Sequence, residues 1–364
     1  MQESDGNDTR EILSYSQLQA FKNCRMLEHL RYDEEIVPAF EDPVLFRGAL
    51  THRGLSTYRE TGDRSEAIIR ITKPEPGDPT FQNQDEKWER DHESRLRARA
   101  ILEGYMEFNP WGGDGDQYEP LVDADGKKAI EYQFCVDIIN PETDAKSRSF
   151  VLGGKCDSIE RKKSDGTIWI REYKTTSSIN VGYLERLWTD FQIKIYKRAV
   201  ETILGVPVAG ILYDIMEKTG IEKKVRETDE EFKIRYDALC AKNKSGTSTA
   251  QQGQGETWDE FLSRLREKQI VRERYQMEPI ILDDAGMDKL QSELWELTQQ
   301  FLDARRRHAA GKGDPYYQNG GFCYHWNKPC PYFKLCRSNF SPLIRENFYV
   351  KKEAHPPLDI VATE

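Results

Sequence analysis

The stretch Val151–Thr176, VLGGKCDSIERKKSDGTIWIREYKTT, decides the fold. Its turn residues Ser164, Asp165 and Gly166 separate two runs that read as strands, about Phe150–Glu160 and Thr167–Lys174, joined as a hairpin with a slightly long loop. Glu172 and Lys174 are two apart on the second strand, so both side chains leave one face of the sheet. Asp157, on the first strand, is near enough to converge with them. Two carboxylates on adjacent strands make a hard oxygen site suited to Mg²⁺ or Mn²⁺, and a lysine beside them can orient or activate a water. That is chemistry for cutting a phosphodiester. Glu-x-Lys alone is also the pattern of a surface ion pair, so the spacing gains weight only from its surroundings.

Working outward, Ile130, Tyr132, Phe134, Val136 and Ile138 alternate with Glu131, Gln133, Cys135 and Asp137, which predicts a further strand. After the hairpin, Leu184, Leu187, Trp188, Phe191, Ile195, Ala199 and Ile203 recur at helical spacing over about Tyr183–Leu204, and Val208–Met216 reads as a strand. Such an order gives an α/β fold, a mixed central sheet flanked by helices. Upstream, Ser14 can cap a helix carrying Tyr15, Leu18, Phe21, Cys24, Leu27 and Leu30 on its inner side. A second helix, about Leu45–Arg59, places Gly48, His52 and Leu55 on one face. Pro74, Pro76, Gly77 and Pro79 mark a connector, Lys73–Glu86, before a long charged helix from about Lys87 to Phe108.

Downstream, a charged insertion runs from Gly220 to Lys268, and its almost wholly polar part, Lys242–Glu256, is expected to be a mobile loop. Met287, Leu290, Leu294, Leu297, Phe301, Ala304 and His308 then form the seam of a last long helix. The chain therefore divides into helices and core at 1–219, the insertion at 220–268, and a C-terminal helix with a cysteine region at 269–364.

The order Gly48, His52, then Gly154-Lys-Cys-Asp157, Glu172-Tyr-Lys174, and Gln192 with Tyr196 at i and i+4, resembles the PD-(D/E)xK nuclease superfamily. More narrowly, it is similar to the RecB-like branch, whose fold is a restriction-endonuclease-like core. The resemblance implies that His52, Asp157 and Glu172 bind Mg²⁺ or Mn²⁺, with the Tyr173 carbonyl as a further ligand. It also implies that Lys174 positions the attacking water, and that Gln192 and Tyr196 hold the site or the DNA strand. The activity implied is a metal-dependent DNA nuclease, an exonuclease on DNA ends or single strands. The alternatives are a non-catalytic DNA-binding or scaffold subunit and an endonuclease of restriction or repair type.

Cys323, Cys330 and Cys336 lie within fourteen residues, and Cys24 on the first helix could complete a four-thiolate site for an iron-sulfur cluster or a structural zinc. One group of RecB-like nucleases has this arrangement, with a four-iron, four-sulfur cluster. The chain resembles that group, which includes the CRISPR-associated single-strand exonucleases and the nuclease domain of the AddB subunit. Cys135, Cys156 and Cys240 read as ordinary thiols.

Composition narrows how DNA could be held. With 53 Lys and Arg against 63 Asp and Glu, the formal charge of -10 excludes bulk coating of nucleic acid or anionic lipid. No apolar run reaches the ~18–20 residues of a membrane span, and Met1–Arg10 does not read as a secretory signal, so cytoplasmic residence and reduced thiols are expected. The basic runs Arg264–Arg274, Arg305–Arg307 and Lys334–Lys352 are candidate phosphate contacts, with nearby Tyr and Trp available to stack bases. There is no Gly-x-x-x-x-Gly-Lys-Ser/Thr loop, so ATP-driven unwinding would have to come from a helicase or recombination partner.

Overall fold

A computed structural model describes residues 10–39, 42–75, 78, 86–109, 116–282, 284–325 and 328–352. Pro76, Gly77 and Pro79 of the expected connector, and Trp326, lie outside them. Strand β1 (Glu11–Ser14) leads directly into helix α1 (Tyr15–Asn23), because Ser14 stays extended and its hydroxyl accepts the Gln17 N–H at 3.2 Å. The predicted single helix through Leu30 is broken at Cys24, whose backbone is extended (φ −164°, ψ 116°). Helix α2 (Arg25–Glu28) and a π-helical turn follow, then β2 (Ile36–Pro38).

Asp42 caps α3 (Pro43–Thr61), which stops at the left-handed Gly62. Helices α4 (Arg64–Thr72) and α5 (Glu86–Phe108) complete one helical layer. The strands β3 (Tyr118–Pro120), β4 (Ile130–Ile139), β5 (Lys146–Lys162) and β6 (Ile168–Thr176) come next. The helix expected from Tyr183 is two, α6 (Val181–Leu187) and α7 (Phe191–Leu204). Asp190 is the reason: its extended backbone interrupts the pattern and its carboxylate accepts the Gln192 N–H at 2.9 Å. Strand β7 (Val208–Glu217) precedes α8 (Asp229–Lys242), α9 (Trp258–Gln269), β8 (Tyr275–Ile280) and α10 (Asp284–Ala309). The cysteine region holds β9 (Tyr324–His325), β10 (Lys328–Pro329), α11 (Phe333–Arg337), α12 (Pro342–Phe348) and β11 (Tyr349–Lys351).

Strand β5 organises the mixed seven-stranded sheet. One of its edges pairs antiparallel with β4 and then β3; the other pairs parallel with β1 over residues 150–153 and antiparallel with β6 over 158–161. Beyond β6 lie β7, parallel to it, and β8, antiparallel to β7. Neither β1 nor β8 was among the strands expected from the sequence; each is short and at the margin of the sheet.

Two apolar layers sandwich this sheet. On one side Leu18 and Phe21 of α1, Ile193, Ile195 and Ala199 of α7, and Leu290, Leu294 and Phe301 of α10 pack on Phe134, Phe150, Leu152, Ile170 and Ile211. On the other, Leu50 and Leu55 of α3, Ile71 of α4 and Ala98, Ile101 and Leu102 of α5 meet Tyr173, Met216 and Tyr275. Burying each such Leu, Ile or Phe contributes roughly 1.5–3 kcal/mol. Phe261, Leu262 and Leu265 of α9 pack on Leu96 and Ala100 of α5, so the end of the charged segment 220–268 adjoins this helical layer. Its polar part, expected to be mobile, is tied to the rest of the insertion: Glu227 N–H donates to the Gly253 carbonyl (3.0 Å), and Arg235, which forks onto Glu227, donates to the Gln251 carbonyl (2.8 Å). Among the described residues no helix is long and apolar enough to cross a membrane.

Candidate active site

The sheet forks where the candidate carboxylates stand. Strand β6 pairs with β5 only as far as Arg171 opposite Ser158, then continues to Thr176 beside β7 alone. On the same edge of β5, β1 ends opposite Gly153, so residues 154–157 have no backbone ladder partner there. Side chains take over: the Asp157 N–H donates to Glu172 Oε1 at 3.3 Å, and the Tyr173 N–H donates to Asp157 Oδ2 at 2.8 Å. Gly154 is required at this bend, since a Cβ there would lie 2.6 Å from the Phe134 ring.

From α3, His52 brings Nδ1 to 3.1 Å from Asp157 Oδ1. Lys174 Nζ stands 3.7 Å from Glu172 Oε2 and donates to Gln192 Oε1 at 2.8 Å, while Gln192 Nε2 donates to the Tyr196 hydroxyl at 2.8 Å. Thus the pair at i and i+4 on α7 fixes the lysine. Helix α7 is itself anchored, because Asp190 at its start accepts from the Tyr15 and Tyr213 hydroxyls at 3.3 and 3.1 Å. Asp190, Tyr15 and Tyr213 were not among the sequence candidates; the Asp before an apolar helical run is the cap signal that could have found the first of them. Tyr173 turns its side chain to the α3–α5 side, edge-on to Tyr105 at 5.8 Å, leaving its backbone at the fork.

Burial sets the two carboxylates of this group against each other. Glu172 is 4% exposed, and burial together with the Asp157 charge pushes its carboxyl up. Burial would raise Asp157 as well, but His52, the Tyr173 N–H and Lys174 hold it below the ordinary carboxylate range. The two carboxylates in turn hold the His52 and Lys174 pKa values up against burial. Among the described residues no three His, Cys, Asp or Glu side chains stand as a ready-made metal cage. The donor set nonetheless suits a hard divalent ion: two carboxylates and an imidazole, with a backbone carbonyl adjacent. Such an ion would favour the charged form of Glu172 beside Asp157.

One residue along the same strands the chemistry differs. Glu160 accepts from Arg59 Nε and Nη2 at 2.9 Å each and from Arg171 Nη2 at 2.9 Å, and Arg171 Nη1 reaches Asp214 Oδ2 at 2.5 Å. The Tyr105 hydroxyl also donates to Asp214 Oδ2, at 2.7 Å. This buried network ties α3 and α5 to β5, β6 and β7.

The four cysteines picked out by sequence, Cys24, Cys323, Cys330 and Cys336, line one small cavity with Leu27, Phe322, Tyr332 and Phe333. The break in the helix at Cys24 presents its sulfur to the Tyr317–Asn319 backbone. Burial, with the other three thiols next in effect, pushes Cys336 up to about 11, and burial also raises Cys330. Cys135, Cys156 and Cys240 lie elsewhere; Cys156 is buried against the Tyr132 carbonyl.

Each basic run has members committed to partners within the protein. Arg266 pairs with Glu103, Arg274 with Glu217, Arg305 with Glu11 and Asp33, and Arg345 with Glu34. In the last run Lys334 and Arg337 lie against the rings of Phe348 and Phe333.

A mixed sheet that opens between two carboxylate-bearing strands, with a lysine one pleat further on, defines a core of the nuclease class. The family model of the PD-(D/E)XK nuclease superfamily matches residues 12–337, most of the chain, and the chain belongs to that superfamily. A comparison with curated proteins found no match.

Proposed function

We propose that the protein is a metal-dependent deoxyribonuclease that hydrolyses phosphodiester bonds, acting as an exonuclease on DNA ends or single strands. The observation that carries the reading is the fork itself, where Asp157 and Glu172 meet in a buried setting and Lys174 is held by Gln192. Nucleases of this superfamily generally use Mg²⁺ or Mn²⁺. Here His52, Asp157, Glu172 and the Tyr173 carbonyl would hold the ion, which polarises the phosphate and neutralises its charge when bound. Lys174 orients the attacking water and offsets charge on the phosphorane, with Gln192 and Tyr196 keeping its ammonium in place. The choice of exonuclease rests on the RecB-like resemblance of Gly48, His52, Gln192 and Tyr196.

The thiol cavity is read as the seat of an iron-sulfur cluster, with zinc the alternative occupant. Four sulfurs facing one small space, with Cys336 and Cys330 held as neutral thiols, suit a cation that would displace their protons. Iron and zinc analysis with a visible spectrum tests this, and protein lacking both metals and charge-transfer absorbance would overturn it.

The catalytic reading is tested with linear, circular and single-stranded DNA labelled at either end, each with Mg²⁺, Mn²⁺ or EDTA. Metal-dependent loss of the linear and single-stranded DNA with the circle intact is expected. Cutting of the circle would make it an endonuclease, and intact DNA throughout would favour a scaffold role.

A further inference from the structure

Beside the fork, strand β4 holds one residue in the left-handed region that favours glycine: Glu131, with φ 50°. Its neighbours Ile130 and Tyr132 stand opposite Ser158 and Cys156 of β5, so Glu131 is level with Asp157. The Glu131 carboxylate pairs with the ammonium of Lys155. Lys155 itself stands opposite Gln133, whose Oε1 is buried and has no hydrogen-bond partner among the described residues. The lysine thus passes the acceptor across from it and takes a diagonal partner. That pairing draws its ammonium along the strands toward the level of Asp157. Lys155 and Asp157 are two apart on β5 and share a face of the sheet, while Cys156 between them is buried on the other.

This flank of the site is open. The side chains of Lys155 and Glu131 are 46% and 32% exposed and that of His52 is 34% exposed, against 12% for Asp157. An ammonium has three N–H donors, so one carboxylate leaves others for an anion, and an ion pair this exposed holds its members only weakly in water. Lys174 reaches the fork from β6 while Lys155 leans toward β4, so the two ammonium groups approach Asp157 from opposite edges of β5. A non-glycine residue is kept at φ 50° where the direction of its side chain matters. Here that direction sets where the Lys155 charge stands.

We propose that Lys155 binds the phosphate next to the one being cut, and that Glu131 is its positioning residue, holding the ammonium level with Asp157 until the DNA strand arrives. The proposal rests on the nuclease reading and names a substrate contact of that site. Neighbouring strands lie about 4.8 Å apart, so a cation displaced toward β4 from Asp157 meets the adjoining nucleotide, whereas Lys174 serves the scissile bond. Lys155 touches the substrate; Glu131 acts only through it.

The test measures cleavage of a labelled single-stranded oligonucleotide in Mg²⁺, over a range of salt, by full-length wild type, Lys155→Met, Lys155→Arg, Glu131→Gly and the Met/Gly double variant. Lys155→Met is expected to raise KM about 10-fold with little change in kcat, and to lower the slope of log KM against log salt by roughly 0.7, the value for one phosphate contact on a single strand. Lys155→Arg should restore both. Glu131→Gly should keep or raise the melting temperature, because glycine suits φ 50°, and yet raise KM about 3-fold; a structural role would leave KM alone. The double variant should be no worse than Lys155→Met, since Glu131 works through the lysine. Lys146→Ala, which removes another ion pair between β4 and β5, the one with Asp137, is the control and should behave as wild type. If wild type cleaves while Lys155→Met keeps its KM and salt slope, or loses kcat alone, the phosphate contact is wrong and the nuclease reading stands. If Glu131→Gly keeps the wild-type KM, Glu131 does not position the lysine. If wild type cuts no DNA, the nuclease reading and the proposal fall together.

Discussion

Strand β6 serves two charge clusters at once, and they differ in how closely their carboxylates are bonded. Arg171 faces α3 and α5, where Arg59 and Arg171 hold Glu160, Asp214 and Asp116 and the Tyr105 hydroxyl joins Asp214 in a dry interior. Glu172 and Lys174 face α7, where two carboxylates share one lysine and one histidine. The same kinds of side chain thus give a brace on one face and a less tightly bonded cluster on the other. Neighbouring carboxyls show it: Glu160 is held down by Arg171 and Arg59 against burial, while burial and Asp157 drive Glu172 up. What separates the two faces is bonding geometry: Glu160 takes three guanidinium hydrogen bonds, whereas Glu172 has the Asp157 N–H at 3.3 Å and the Lys174 ammonium at 3.7 Å.

The sharpest way to break this contrast is to remove a member of the brace. Arg171→Met leaves Glu160 and Asp214 short of a buried partner and should cost about 3–5 kcal/mol in urea unfolding. Its folded fraction should still cut DNA; a variant within 1 kcal/mol of wild type would show that the brace does not hold the layers. On the other face, Asp157→Asn should reduce cleavage about 10³-fold, the several kcal/mol of charge stabilisation a bound ion supplies. Because the Asp157 carboxyl is depressed in the folded state, its charge is net stabilising there, so the variant should also lose some stability at pH 7, though less than Arg171→Met; an equal fall would make Asp157 a structural residue too. Smaller still, Gln192→Ala should lower kcat about 10- to 100-fold by loosening Lys174, and Tyr196→Phe less than 10-fold, because Gln192 keeps its contact with the ammonium.

The subtlest effect is one of pH. Because the Glu160 carboxyl is depressed in the folded state, its stabilisation is present above the unfolded value of about 4.3 and is lost as pH falls through the folded value. Glu160→Gln should therefore be less stable than wild type at pH 7, with the gap closing below about pH 4. A gap that did not vary with pH would mean the carboxylate charge is not what Arg59 and Arg171 hold.

The site was more legible than the scaffold around it. Asp157, Glu172 and Lys174 sit on a hairpin whose strand period is plain, and His52, Gln192 and Tyr196 sit on helices of ordinary amphipathic spacing. Periodicity could not show that β6 leaves β5 at Arg171, since ladder partners are not written in one strand. Nor could it show the brace: Arg59, Glu160, Arg171 and Asp214 look like surface residues until a sheet buries them. Arg95 and Arg97, buried within α5, defeated the same expectation for the long charged helix. The break before Asp190 was hidden because Leu184–Ile203 keeps its apolar rhythm across it.

The join between Cys24 and the cysteine region has a consequence in time. Residues 24 and 336 are separated by 312 positions, and β2 cannot pair until residues 349–351 exist. At about 5–20 residues per second, a nascent chain waits on the order of 15–60 s between making the first thiol and the last. During that interval Leu30 and Ile36 lack the Tyr332, Leu335 and Tyr349 that later cover them. Helices α1 and α2 therefore emerge with an uncovered apolar flank that closes only once residues 332–349 follow.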